Sequence, residues 1–99
     1  MAYFPFCFDV RDDRLGCVLF ADLEVIVDVS RDRSGWSVDG VWLGKVDEFG
    51  RLSADAVELS GGEASARRIW ADAQDAAMAD LNKLGHLWRM ADQYFEEAA

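Results

Sequence analysis

Apolar residues change their period once along this chain, and the change divides it into a β-rich part, residues 1–60, and a helical part, residues 61–99. Phe4, Phe6, Phe8 and Val10 alternate with Pro5, Cys7 and Asp9, the two-residue period of a strand with one buried face. Pro5 has no N–H to give to a ladder, which places this strand at a sheet edge. Residues 11–16 read as a turn, and a longer strand is predicted over residues 17–29. In it Leu23, Val25, Val27 and Val29 face the core, while Asp22, Glu24, Ile26 and Asp28 point the other way.

Residues 30–35 reverse the chain, and residues 36–43 return as a third strand. A hairpin closed symmetrically about that loop pairs Val29 with Trp36, Val27 with Val38 and Leu23 with Trp42, gathering large apolar side chains on one face. Asp39-Gly40 marks an alternative, a bulge that would send Trp42 to the opposite face. Further short strands are predicted near residues 45–49 and 52–59.

Beyond residue 60 the period becomes helical. Ser60 and Glu63 have the spacing of a capping box, with Leu59 just outside it. Trp70, Ala73, Ala77, Leu81, Leu84, Trp88, Ala91 and Phe95 then recur at steps of three and four, one apolar seam that keeps its phase across Gly85. Unbroken phase argues for one helix over residues 63–97, roughly 50 Å long at 1.5 Å per residue. A 100-residue domain has a radius of gyration near ~13 Å. Such a helix either breaks around residues 82–86 or projects past its sheet. Projection exposes Trp88, Met90 and Phe95, and predicts a homodimer through the end of the helix.

The expected fold is therefore α+β, an antiparallel meander of three to five strands with a long C-terminal helix on one face. The 99 residues read as a single domain with no dividing linker, and 52% of them are hydrophobic, including four Trp and six Phe, so this is no disordered acidic tail. The longest apolar runs are too short to span a membrane, and the first residues lack the pattern of a signal peptide. Cys7 and Cys17 have no Cys-x-x-Cys spacing and are expected to be reduced, on different faces of the first hairpin. A cytoplasmic protein is the expectation.

Charge changes the picture most. Nineteen acidic residues against ten basic ones give a net charge of −9. Residues 1–60 hold 12 acidic and 6 basic residues, so the excess lies mostly on the strand half. Nucleic acid is a poor partner for such a surface, because phosphate binding needs lysine and arginine. A basic protein surface is a good one. Asp22, Glu24 and Asp28 form an acidic row on one strand face, with Asp47 and Glu48 as a second patch. The ordinary role of such a row is to keep the outer face of a sheet solvated. The functional role is a decoy for phosphates, which needs several rows together, drawing also on Asp9, Asp12, Asp13, Asp55 and Glu58.

Catalytic chemistry finds little purchase. There is no nucleophile elbow, phosphate loop or dinucleotide turn. Asp28 to Gly35 superficially looks like a calcium loop but lacks the third-position ligand and the twelfth-position glutamate. His86 is the only histidine, and Cys7 as a nucleophile would need it alongside. No metal, cofactor or catalytic residue is assigned.

In size, acidity and strand-strand-helix order, carried by Glu24-Val-Ile-Val-Asp28, Gly35-Trp-Ser-Val-Asp39 and the Ala-rich helix, the chain resembles small acidic phage and mobile-element proteins of the anti-CRISPR type. The resemblance lies in composition and layout across the whole chain and carries no residue roles. It implies an inhibitor that occupies the basic, nucleic-acid-binding surface of a CRISPR effector; the contacts expected from the charge pattern are Asp22, Glu24, Asp28, Asp47 and Glu48. The alternative is a phage or bacterial assembly protein that docks through Trp88 and Phe95. An unrecognised small enzyme using Cys7 or His86 is the third.

Overall fold

The computed structural model describes residues 2–12, 16–59 and 64–98, apart from the side chains of residues 11, 12, 19, 20 and 64–66. The tip of the first turn and the capping box of Ser60 and Glu63 lie outside the described residues. Strands β1 (Ala2–Asp12), β2 (Cys17–Asp32), β3 (Gly35–Leu43) and β4 (Val57–Glu58) precede helices α1 (Ala64–Asn82) and α2 (His86–Ala98). The four strands form one antiparallel meander in the order β1-β2-β3-β4. Strand β1 lies at the edge, where Pro5 withholds no ladder bond from an outer neighbour.

Both hairpins are bulged, and neither register is the symmetric one. In the first, Phe8 faces Leu23, Val10 faces Phe20 and Arg11 faces Val18, so β2 carries an extra residue at each step. Cys7 consequently meets Glu24, and Cys17 meets Asp12; both thiols are free. In the second, Asp32 pairs with Gly35, which shortens the loop to Arg33 and Ser34. The Asp32 carboxylate accepts bonds from the Ser34 hydroxyl (2.6 Å) and N–H (2.8 Å), which hold its pKa below the usual carboxylate value. Val29 then faces Val38, Asp28 faces Gly40, and Asp39 is left as the extra residue of a bulge.

That bulge decides where Trp42 goes. It faces Ile26 instead of Leu23, on the side of the sheet away from the helices. Its indole folds back over Gly40, where an added Cβ would lie 2.5 Å from Cη2 and Cζ3 of the ring. The Tyr3 ring meets it edge-on, centroids 5.4 Å apart. Ile26 stands in register between Pro5 and Trp42 and is buried although no helix covers this face.

The helices cover the other face. Phe4, Phe8, Val10, Val25, Val27, Val29, Val38 and Val41 are buried with Ala73, Ala77 and Leu81 of α1 and Leu87 and Ala91 of α2. Fully burying one such valine contributes about 1.5–3 kcal/mol, and alanine on the helices lets their backbones approach the sheet. Gln74 of α1 donates to the Val38 carbonyl (3.2 Å), which fixes the helix along β3.

Of the two outcomes expected for the helix, the break around residues 82–86 is the one observed. Helix α1 ends at Asn82 because Leu84 takes a left-handed conformation, φ 59°, and the Gly85 N–H bonds back to the Asp80 carbonyl (2.9 Å). Helix α2 then doubles back, packing against α1 and β1. Its first turn has no capping side chain of its own, since Gly85 precedes it. The Asp80 carboxylate of α1 takes that role by accepting the Trp88 N–H (3.0 Å). A Cβ on residue 85 would lie 2.5 Å from that carboxylate, so glycine is what allows the approach. At the other end Arg31 of β2 bonds Asp92 (3.2 Å) and Glu96 (3.5 Å), with its guanidinium over the Trp36 and Phe95 rings.

Between β3 and β4 the chain makes an arm, residues 44–56, that holds one isolated bridge, Val46 with Leu52; of the further strands expected near residues 45–49 and 52–59, β4 falls in the second range and only that bridge in the first. Asp47 organises its tip, accepting the N–H groups of Arg51 (2.8 Å) and Phe49 (2.9 Å) and the Arg51 Nε–H (3.1 Å).

Candidate partner-binding face

The half of the β1–β2 hairpin nearer its turn carries exposed carboxylates. Alternation along β1 puts Pro5, Cys7 and Asp9 on the face without helices, and the register puts Glu24 opposite Cys7. Two residues before Glu24, the bulge in β2 places Asp22 in the left-handed region, φ 50°. Aspartate tolerates that conformation better than most residues. There the Asp22 N–H donates to Asp9 Oδ1 (3.0 Å), which ties the Asp9 carboxylate to the bulged backbone of β2.

Cys7 reports the resulting field. Its thiol pKa is raised by burial and then by the negative charges of Glu24 and Asp22. Asp9, Asp22 and Glu24 are all exposed, and among the described residues neither Asp22 nor Glu24 is paired with a cation. A solvated negative cluster beside an uncharged thiol attracts cations and repels anionic substrates.

The other expected contacts are placed differently. Asp28 does not belong to a solvated row. It is only 5% exposed and accepts a bond from the Ala2 N–H (3.3 Å). Burial, reinforced by the charge of Asp39, raises its pKa, against the lowering effect of the Ala2 bond. The two-residue alternation of β2 gave no sign of this, since it set Asp28 with Asp22 and Glu24 on the outer face. Asp47 is exposed but engaged in its own turn; the Arg51 N–H first, with the Phe49 N–H and the Arg51 charge, holds its pKa below the usual value. Glu48 is exposed at the same tip and lines a groove of about 550 Å³ between the arm, the start of β1 and Tyr94.

Trp88 and Phe95 are half-buried against the chain's own core, Phe95 with its ring 5.8 Å from Trp36. The projecting helix that was to expose them does not form, which removes the reason for dimerisation through their surface. Burial of Leu87 and Ala91 accounts for the folding back, since a straight helix would leave that seam in water.

Cys7 and His86 do line one groove, about 360 Å³, with Glu24, Asp80 and Met90. An activated thiol has a depressed pKa and a positive neighbourhood, whereas the Cys7 thiol is pushed up by burial and by Glu24 and Asp22. Among the described residues no three His, Cys, Asp or Glu side chains converge as a metal site. No helix among them is long and apolar enough to cross a membrane.

Sequence reasoning counted Asp9 only in a wider acidic set and missed its link to Asp22. It also missed Arg31 and Asp80, whose partners are 61 and 8 residues away and follow no local pattern. No protein-family model, no curated protein and no solved structure matches the chain.

Proposed function

We propose that the protein is a non-catalytic acidic binding protein that inhibits a partner by occupying its basic, nucleic-acid-binding surface. The observation that carries this reading is the exposed cluster of Asp9, Asp22 and Glu24 around the neutral Cys7 thiol, on a chain of net charge −9. Lysines and arginines arranged for phosphates are attracted to such a cluster, and occupation excludes nucleic acid without any cofactor. The likeness to anti-CRISPR proteins makes a CRISPR effector the partner to try first. The helix-docking alternative loses support because Trp88 and Phe95 already pack within the chain.

The test is capture of a partner from bacterial lysate by the wild type, by D9K/D22K/E24K, and by D75K/E97K, which reverses two exposed charges on the helices. The wild type and the helix variant should retain the same protein, and the strand variant should lose it while keeping the wild-type circular dichroism. Equal capture by all three contradicts the reading. Asp28 is left unchanged, since reversing a buried carboxylate tests folding and not binding.

A further inference from the structure

Three residues, Lys83–Gly85, join α2 to the rest of the chain, and the middle one is strained. Leu84 holds φ 59°, a conformation that residues with side chains rarely adopt, and its side chain is 58% exposed. Yet Leu84 is in phase with the seam that runs from Leu81 to Trp88. With the hinge helical, Leu84 would leave solvent for that seam, and one helix would run from Ala64 to Ala98. At 1.5 Å per residue it would be roughly 50 Å long. The longest dimension of the folded chain is 44 Å, so α2 could not then reach its own sheet.

Every contact that α2 makes at home exists in the same form on a second copy. Leu87 and Ala91 enter the core, Phe95 meets Trp36, and Asp92 and Glu96 meet Arg31. We propose that α2 is an exchangeable arm: two copies of this chain swap it, each straightening its hinge into a continuous helix and seating α2 on the other's sheet. Short hinges under strain favour such exchange, because the closed interfaces are kept and the strain is released. The closed form is held by the Gly85 N–H bond to the Asp80 carbonyl and by the Asp80 carboxylate on the Trp88 N–H.

Adjacent substitutions therefore act in opposite directions. Gly85→Ala puts a Cβ against the Asp80 carboxylate and improves helix propensity, so it favours the swapped form. Leu84→Gly relieves the left-handed residue and empties the seam position, so it favours the closed monomer. Each protein is refolded from denaturant at high concentration and its mass measured by light scattering after size exclusion. The wild type should show a fraction at twice the 11.1 kDa chain mass, raised at least tenfold in G85A and lowered by a similar factor in L84G. Co-refolding R31E with D92R/E96R separates exchange from surface association. Each variant alone sets like charges against each other, whereas a swapped mixed dimer restores opposite charges at both seats. A dominant mixed dimer is the expected result, and it decides the matter even if G85A fails to fold. Absence of that mixed dimer, or a folded G85A that stays monomeric throughout, overturns the proposal.

Discussion

Gly40 lacks a side chain because the Trp42 indole occupies the space one would fill. Gly40→Ala should push the ring off Ile26 and Tyr3 and lower stability by about 1–3 kcal/mol, the usual range for an overpacked site. Denaturant unfolding followed by tryptophan fluorescence reads both effects. Asp28, opposite Gly40, answers to pH. Its folded pKa is raised, so its contribution to stability is full below the unfolded value near ~4 and is lost as pH rises through the folded value. Asp28→Asn keeps an oxygen to accept the Ala2 N–H and removes the buried charge. The variant should match the wild type in stability near pH 3 and exceed it increasingly towards pH 7. A constant difference across that range would mean that the charge is not what burial penalises. Asp47 has the opposite sign: its lowered pKa supports the arm above pH ~4, and that support is lost on acidification.

At the scale of elements, the division of the helix rests on Asp80, which accepts bonds from two different turns. Asp80→Ala should cost about 1 kcal/mol, as loss of an N-cap does, and should show first as faster amide exchange at Trp88. The two-residue period over Phe4–Val10 and the three-and-four steps from Trp70 to Phe95 were legible because burial imposes them directly. Strand order, the edge position of β1 and the covered face follow from the same patterns. Register was legible only as an alternative at Asp39-Gly40, where the bulge that sends Trp42 to the far face was one of two readings; the bulges in β2 had no such mark, because a bulge adds one residue without altering which residues are apolar. The helix break was legible from length, which offered a break around residues 82–86 as one of two outcomes; the apolar seam did not favour it, because Leu84 keeps the phase of the seam while its backbone leaves the helix. Of the candidate site, Asp22 and Glu24 were legible as acidic positions. The tie between Asp9 and the Asp22 backbone depends on a left-handed residue that no spacing announces.

At the scale of the whole molecule, one sheet face is closed by helices and the other carries an aromatic centre, Tyr3 with Trp42, and an acidic end. The charge excess on the strand half sets encounter rates and salt response and leaves the fold to the apolar core. An exposed ion pair contributes roughly 0–1 kcal/mol, so single reversals at Asp9, Asp22 or Glu24 should change binding little and the triple reversal greatly. On the proposed function, the acidic face occupies a basic, nucleic-acid-binding surface of the partner. The most direct measurement of this is the affinity for the captured partner between 50 and 300 mM salt, with and without a competing DNA duplex, those conditions spanning Debye lengths of roughly 14 to 6 Å. Binding that weakens at least tenfold over that range and is mutually exclusive with the duplex is the predicted result. Affinity that is flat with salt, or a ternary complex in which protein and duplex share the partner, would contradict it.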